Sequence, residues 1–506
     1  MTRIGELLAP SKKTSYPPSY IHPTKDQLMQ TIMTNVIKNT YYQNQKSQLN
    51  ESVHLHKSMV TKDPLFHYKA IKFGREVGNM YLQPVIGLAA GAKVYSAEAQ
   101  LALLKTMTPK RVLEYVEILK SGVFGHGFGR RQKEIVAKYL ATVRSPGYYS
   151  LKYTKEIVDL LKLSHPTREV LGDNFKIYGY ALGHEEAVTT EQGEFELLKE
   201  LSGYKFAEVL KTSNVPWDVT TSFDQSPEAW RARAHRMPTG ALVGNLATLA
   251  RHNAVDAEYI RSRLTPAAIE KARLFPQNLL KAHSKVPTEL KRVIEEAYVN
   301  AYANRYPFFE NKKVAIVLDV SGSMGSFLQQ TKESMALASM IMLSARDFDM
   351  YYFDTRLYKE RTEVLGPQRS RYGRTYDVDR LPKFKEMSQA QIAQMVLNMN
   401  FLNGGGTDTG LILRYLTSQW IDYDLVIMIT DEQQNAGAPA YGQWNKYHER
   451  FPHSRFFVLN VAPYKSHMIP AHDDTAICLP AKSPTVLECI KYYGVKLTDV
   501  VDASTV

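Results

Sequence analysis

The hydrophobic period of this chain changes once, near Asn311, and that change limits the folds it can adopt. From about Asp26 up to that point, apolar residues recur at helical spacing. The windows 82–104, 111–120, 133–140, 155–163, 194–210 and 289–303 each read as an amphipathic helix, because residues three and four apart share one face. Several starts carry capping chemistry: Ser96 precedes AEAQLALL, Thr108-Pro109 precedes KRVLEYVEIL, and Thr265-Pro266 precedes AAIEKARL. A hydroxyl can accept from the unpartnered amides of a first turn, and proline fits the first helical position because it lacks the amide that would go unsatisfied there. Short helices joined by short polar turns predict stacked helix pairs of the HEAT or armadillo type, an α-solenoid. No strict repeat period is legible, so regular repeats are not predicted.

After Asn311 the pattern is different. KKVAIVLDV is a short, β-branched apolar run, predicted as a strand buried on both faces. A helix over 331–344 follows, then a strand DMYYFD, helices over 388–398 and 409–416, and the strands DLVIMIT and RFFVLNV. Strands alternating with helices predict a doubly wound, mostly parallel, Rossmann-like sheet, whose ligands bind beyond the carboxyl ends of the strands. The expected organisation is an extended arm rich in Pro, Ser and Lys over 1–20, a helical domain over 21–310 and an α/β domain over 311–506.

Composition narrows the function class. At 44% hydrophobic and 23% charged residues the chain is an ordinary globular protein, neither disordered nor fibrous. Two cysteines, Cys478 and Cys489, make no disulfide framework and have no zinc-like spacing, which suits a reducing compartment. The N-terminal MTRIGELLAPSKKTSYPP has no apolar stretch of signal length, and no run of 18 apolar residues occurs. The expectation is a cytoplasmic, soluble monomer with no membrane association. The formal charge of +12 is unevenly placed: residues 311–506 balance 21 Lys+Arg against 21 Asp+Glu, and residues 1–310 hold 42 against 30. Residues 105–165 alone carry 12 basic and 5 acidic side chains. A basic region on a folded domain attracts polyanions, and nucleic acid is the commonest large one; the plain alternative is a solvated helix face.

The α/β half contains a cation-binding pattern. The first strand ends in Asp319, followed by Ser321 and Ser323, a D-x-S-x-S motif at a strand's carboxyl end. A glycine-rich turn then brings Thr407, and DLVIMIT ends at Asp431. All of these donors are oxygens, which is hard-cation chemistry: Mg²⁺ first, Mn²⁺ or Ca²⁺ next, not zinc. Few of the ligands are charged, so the ion would keep positions open to water or to an acidic group of a partner. These residues resemble the metal-ion-dependent adhesion site (MIDAS) of von Willebrand factor A domains, with Asp319, Ser321, Ser323, Thr407 and Asp431 at the matched positions. The plain alternative is an A domain whose ligand positions bind nothing. Asp408 and Glu432 read as supporting or surface residues. No nucleophile–base pair, P-loop or HExxH stands nearby, so the chain is expected not to be an enzyme. Gly125–Gly129 is glycine-rich but follows no strand, and His54 with His56 forms an H-x-H without further zinc ligands.

The whole chain resembles the Ro autoantigen family, in which a TROVE module precedes an A domain. The resemblance rests on FGHGFGRRQKEIVAKYL, DLLKLSHP, RMPTGALVGNLATL and KARLFPQNLLKA in the helical half, and on VLDVSGSM, GGTD and ITDEQQNAG in the other. It implies a ring of HEAT-like helices closed by the A domain. It also implies Y RNA on a basic outer surface, single-stranded 3′ ends of misfolded RNAs in a central hole, and a role in RNA quality control without catalysis. An exoribonuclease tethered through RNA is a further partner of such proteins. Arg130, Arg131, Lys133 and Lys138 supply phosphate-neutralising charge on one short helix, although Lys138 lies five residues beyond Lys133 and a single face requires wrapping of long side chains. His165 matches the family's RNA-contacting histidine, with a backbone-satisfied helix end as its plain reading. Arg144 is offered on charge alone. Tyr148, Tyr149 and Tyr153 read equally as stacking platforms and as packing residues. The segment 361–385, with Arg361, Arg369, Arg371, Arg374 and Arg380, is longer than the family's connection and reads as a loop or an added nucleic-acid contact. The rival to RNA binding is a metal-dependent adhesion module that docks an acidic residue of a protein partner; a nuclease is disfavoured because the carboxylates for two metals are missing.

Overall fold

The helix starts can be checked atom by atom in the computed structural model. The Ser96 hydroxyl accepts from Ala99 N–H at 3.1 Å, and the Thr265 hydroxyl accepts from Ala268 N–H at 3.2 Å, as predicted. Thr108 departs from the expectation. Pro109 does open the helix Pro109–Lys120, but Thr108 makes no cap; its hydroxyl is engaged by Tyr153 instead. The structure describes residues 24–34, 45–303, 305–325, 330–359, 363–365, 384–398, 405–462, 468–470, 473, 475–481, 486–487, 490 and 497–504. The predicted arm over 1–20, Cys489, and Arg361, Arg369, Arg371, Arg374 and Arg380 lie outside them.

The chain divides into two compact units. The first comprises Met1–Leu28, Lys46–Asp256 and Ser504–Val506. It is helical, and its helices pack on near neighbours in sequence: Leu82–Ala90 against Pro64–Glu76 and Pro109–Lys120, and Gly203–Thr212 against Pro227–Arg236. This is the pairing of an α-solenoid, in which each pair buries the apolar stripe of the next. Leu82–Ala90 shows why: residues 83–90 are all buried, so this segment is core on every side.

The second unit comprises Met29–Gln45 and Ala257–Ala503. The helices between Ala257 and Tyr302 therefore group with the sheet, which begins only at Lys313. Thr288–Tyr302 packs on Gln389–Asn398, and Tyr298 Oη lies 2.5 Å from Ser339 Oγ. The strands are β1 (Lys313–Asp319), β2 (Asp347–Phe353), β3 (Leu357–Lys359), β4 (Glu363–Leu365), β5 (Leu425–Thr430), β6 (Arg455–Asn460) and β7 (Ala476–Pro480). Their order is β4-β3-β2-β1-β5-β6-β7. β2, β1, β5, β6 and β7 are mutually parallel, and β3 and β4 form an antiparallel edge. One face, with Val317, Tyr351, Met428 and Val458, packs under the helices Leu411–Ser418 and Ala440–Arg450 through Leu413, Leu416, Trp444 and Tyr447. The alternate residues Ile316, Leu318, Ile427 and Ile429 are buried as well. The fold class read from sequence, helical solenoid plus Rossmann-like sheet, is the one observed. Among the described residues no helix is long and apolar enough to cross a membrane.

A polar chain runs through the first unit. His56 Nε2 lies 3.0 Å from Gln83 Oε1, His56 Nδ1 lies 2.8 Å from His67 Nε2, and His67 Nδ1 meets Tyr95 Oη. The Gln83 amide NH₂ donates to Ser52 Oγ at 2.9 Å, which leaves its oxygen as the acceptor. That fixes every tautomer: Tyr95 donates to His67, His67 to His56, and His56 to Gln83. Both rings are buried and neutral, and burial pushes His56 down to about 4 and His67 well below its ordinary value. Their folded values lie below the unfolded value of about 6.5, so the unfolded state binds more protons between the two. Stability is complete above about pH 6.5 and falls by roughly 1.4 kcal/mol per pH unit per histidine as pH drops toward 4. Melting temperatures between pH 8 and pH 4.5 check this; a flat profile across that range would contradict the assignment.

Candidate functional site

β1 and β5 are parallel neighbours in register, with Leu318 opposite Ile429, so Asp319 and Thr430 emerge side by side at the carboxyl edge of the sheet. Asp319 is fully buried. Its Oδ1 accepts from Ser321 N–H at 2.8 Å and its Oδ2 from the Thr430 hydroxyl at 2.5 Å. Ser321 Oγ and Ser323 Oγ lie 3.3 Å apart. Asp431 follows β5, is also fully buried, and takes a hydrogen bond from Ser323 and one from Gln433 N–H at 3.1 Å. Its second oxygen, Oδ2, is buried with no hydrogen-bond partner among the described residues. Burial pushes both carboxyls above the usual carboxylate range, and the Asp431 charge pushes Asp319 further.

Thr407 is brought to the same edge by its own backbone. Its N–H donates to Asn435 Oδ1 at 2.8 Å, and its carbonyl accepts from Asn435 and Ala436 N–H at 3.2 and 3.1 Å. Gly405, just before it, sits at φ +74°, and a Cβ there would lie 3.0 Å from Asp354 Oδ2. Gly405 C=O accepts from Gly322 N–H at 3.3 Å, which ties the glycine turn to the D-x-S-x-S turn. The five sequence-predicted residues thus belong to turns at the carboxyl edge of the sheet, and four of them are joined in one hydrogen-bonded group through Asp319 and Asp431.

Whether these residues fit a cation turns on the orphaned Asp431 oxygen. Two buried carboxylates repel each other, and one has a lone oxygen that nothing in the described chain satisfies. A divalent ion would remove both costs. Among the described residues no three His, Cys, Asp or Glu side chains converge on one point, so an ion here would depend on the Ser and Thr hydroxyls as well. That is an oxygen-only, low-charge set, suited to Mg²⁺ and not to a soft metal.

Asp408 and Glu432, read from sequence as supporting or surface residues, are both interior. Asp408 is buried and paired with Arg414 at 2.5 Å, and its N–H bonds the Asp354 carbonyl at 3.0 Å. Glu432 is buried in a left-handed conformation, φ +61°; its carboxylate accepts from Gln30, Asn460, Cys478 and the Met468 N–H. Both residues are structural ties in the interior. Asp354, at the end of β2, was legible as a strand-end carboxylate, whereas Asn435 carried no signal beyond its place in ITDEQQNAG.

The basic residues lie in the first unit. Arg130 opens the helix Arg130–Ala141; its side chain is 94% exposed and pairs with Glu134 at 3.0 Å. Arg131 donates to the Tyr95 carbonyl at 2.5 Å, so part of its guanidinium holds the fold. At about 100° per residue, Arg130, Glu134, Lys138 and Arg131 span one arc of about 100°, and Lys133 lies about 60° beyond the Arg130 edge of that arc, between the buried Ala137 and Leu140. Of the expected cluster, Arg130, Arg131 and Lys138 are accordingly exposed and Lys133 is half-buried. Arg144 is exposed in the turn that follows. His165 is the left-handed C-cap of Thr154–Ser164 at φ +50°: its N–H bonds the Leu161 carbonyl at 2.9 Å, and its ring is exposed. Tyr148, Tyr149 and Tyr153 pack on one another at 5.5–5.9 Å between ring centroids and hold Lys152, which also pairs with Asp218 at 3.3 Å. All three are half-buried.

No family model matches the sequence, and no curated protein matches it. Among solved structures the chain is similar to the Ro (RSR) protein of Deinococcus radiodurans, with 16% identity and a TM-score of 0.64. The alignment covers 93% of this chain and 100% of that one. The fold is that of a Ro protein. Within this Ro fold, FGHGFGRRQKEIVAKYL forms the turn before Arg130–Ala141 and that helix, DLLKLSHP ends Thr154–Ser164, and RMPTGALVGNLATL forms Thr239–Arg251.

Proposed function

We propose that this chain is a noncatalytic RNA-binding protein of the Ro type. The observation that carries the reading is the exposed basic set Arg130, Lys138 and Arg144, with the His165 ring, on a helical unit that holds most of the positive surplus of the chain. Phosphates would be neutralised by the arginines and lysines, and His165 can stack on a base or donate to phosphate. The RNAs in view are small structured Y RNAs and misfolded or 3′-extended noncoding RNAs, handled in a cytoplasmic ribonucleoprotein to which an exoribonuclease is tethered through the RNA. The protein is a monomer in this reading. A Mg²⁺ ion held by Asp319, Ser321, Ser323, Thr407 and Asp431 would supply an electrophilic docking point for an acidic group; the chain's own hydroxyls and carboxylates orient it. The Ro-type fold supports the reading, and the charge placement gives it a mechanism.

Equilibrium binding of a structured small RNA between about 50 and 200 mM salt tests it. Three to four phosphate contacts predict a log–log slope of about −3 and a loss of roughly 50- to 100-fold in affinity across that range. Affinity that ignores salt would contradict the proposal.

A further inference from the structure

The helix Leu411–Ser418 ends in a motif that ordinarily calls for glycine. Ile421 N–H bonds the Leu416 carbonyl at 3.0 Å and Trp420 N–H reaches the Thr417 carbonyl at 3.4 Å, the paired bonds of a Schellman cap. Trp420 occupies the left-handed position of that cap, at φ +57°. A bulky side chain there is an outlier, because its Cβ crowds the following carbonyl. Of the other described non-glycine residues in this conformation, Asn79 and Asn253 tolerate it, the Glu432 carboxylate is held by four donors, and His165 and Arg273 also adopt it. Trp420 carries the bulkiest side chain of the set. Its side chain is 69% exposed, and its indole N–H has no partner among the described residues.

One face of the indole carries a cation. The Arg450 guanidinium carbon lies 3.7 Å from the ring centroid, and Arg450 Nη1 donates to the Thr417 carbonyl at 2.5 Å, which fixes the stack. Arg450 is exposed and pairs with no carboxylate among the described residues, so its remaining donors are free. Lys446, also exposed, lies one turn earlier on the helix Ala440–Arg450 and so on the same face. The pair stands at the amino end of β5. The candidate cation residues stand at its other end, about 20 Å along the strand.

We infer that Trp420, Arg450 and Lys446 form a stacking platform for single-stranded RNA, in which a base lies on the open face of the indole and its phosphates meet the two cations. A free aromatic face beside unpaired cations is the combination that single-stranded nucleic acid requires, and an acidic peptide would leave the indole face unused. The inference rests on the reading of the chain as an RNA binder and adds a contact to its sheet-bearing unit.

The test uses the full chain and a labelled oligoadenylate of about ten nucleotides, matched to the length such platforms cover. Trp420→Gly should weaken oligonucleotide binding about ten-fold or more while raising the melting temperature, since glycine relieves the left-handed strain. Trp420→Phe should retain most of the affinity, and Arg450→Gln should lower the salt slope by about one. Wild-type and Trp420→Gly chains that bind the oligonucleotide equally would overturn the inference and assign the exposed pair to a protein partner. Binding of structured RNA without oligonucleotide would overturn it alone, and binding of neither would overturn it together with the reading beneath it.

Discussion

The double variant Arg130→Glu/Lys138→Glu is expected to lose RNA affinity by roughly 10²-fold at physiological salt with an unchanged melting temperature. Both side chains are exposed, and among the described residues the only ion pair either makes is the surface contact from Arg130 to Glu134, worth little to the fold. Reversal removes two phosphate contacts and sets two negative charges against the RNA backbone, so the salt slope should fall by about two as well. Arg131 is a poorer choice. Its guanidinium bonds the Tyr95 carbonyl, and Tyr95 begins the buried histidine chain, so a loss of binding in Arg131→Glu would mix contact with fold. Isothermal titration or filter binding decides the outcome, and full affinity in the double variant would move the RNA to another face.

The second large effect concerns the paired carboxylates. Wild-type protein should gain thermal stability when Mg²⁺ or Mn²⁺ is added, by about 2.7 kcal/mol at a hundred times the dissociation constant. Asp431→Asn should abolish that gain. Without metal the sign reverses: Asp431→Asn should be more stable than wild type, because it removes one of two buried like charges and lets an amide replace an orphaned oxygen. The linkage agrees in direction. Both folded values lie above the unfolded carboxyl value, so the folded state binds more protons in that window, and metal-free stability falls as pH rises through it. Scanning calorimetry with chelator and with excess ion reads both arms; a metal-independent melting temperature for wild type would remove the ion from the account.

The main divisions of the fold were legible because they follow from hydrophobic period. The runs around Val314–Leu318 and Leu425–Ile429 could only be strands buried on both faces, and they are the centre of the sheet. β3 and β4 are three residues each, and β7 ends in Pro480, so none offered a pattern long enough to read. The helix Ala440–Arg450 was missed because only Ala440, Trp444 and Tyr447 face inward and the rest is polar. Of the candidate donors, Asp319, Ser321, Ser323 and Asp431 lie at the ends of β1 and β5, as the motif spacing predicts, while Thr407 comes from the turn ahead of the helix Leu411–Ser418. The support from Asn435 was not legible, because its side chain meets the Thr407 N–H only after folding. Helical spacing also sets Lys133 apart from Arg131 by about 160° around the helix, which their closeness in sequence does not show.

The central claim is that the intact protein holds RNA through its basic solenoid. Purification of the full chain at about 150 mM salt, followed by sequencing of whatever nucleic acid stays bound, tests this directly. The expected result is a small set of structured noncoding RNAs, released by high salt and missing from the Arg130→Glu/Lys138→Glu protein. A preparation that carries no RNA, and that at low ionic strength shows no affinity for structured or single-stranded transcripts, would contradict it.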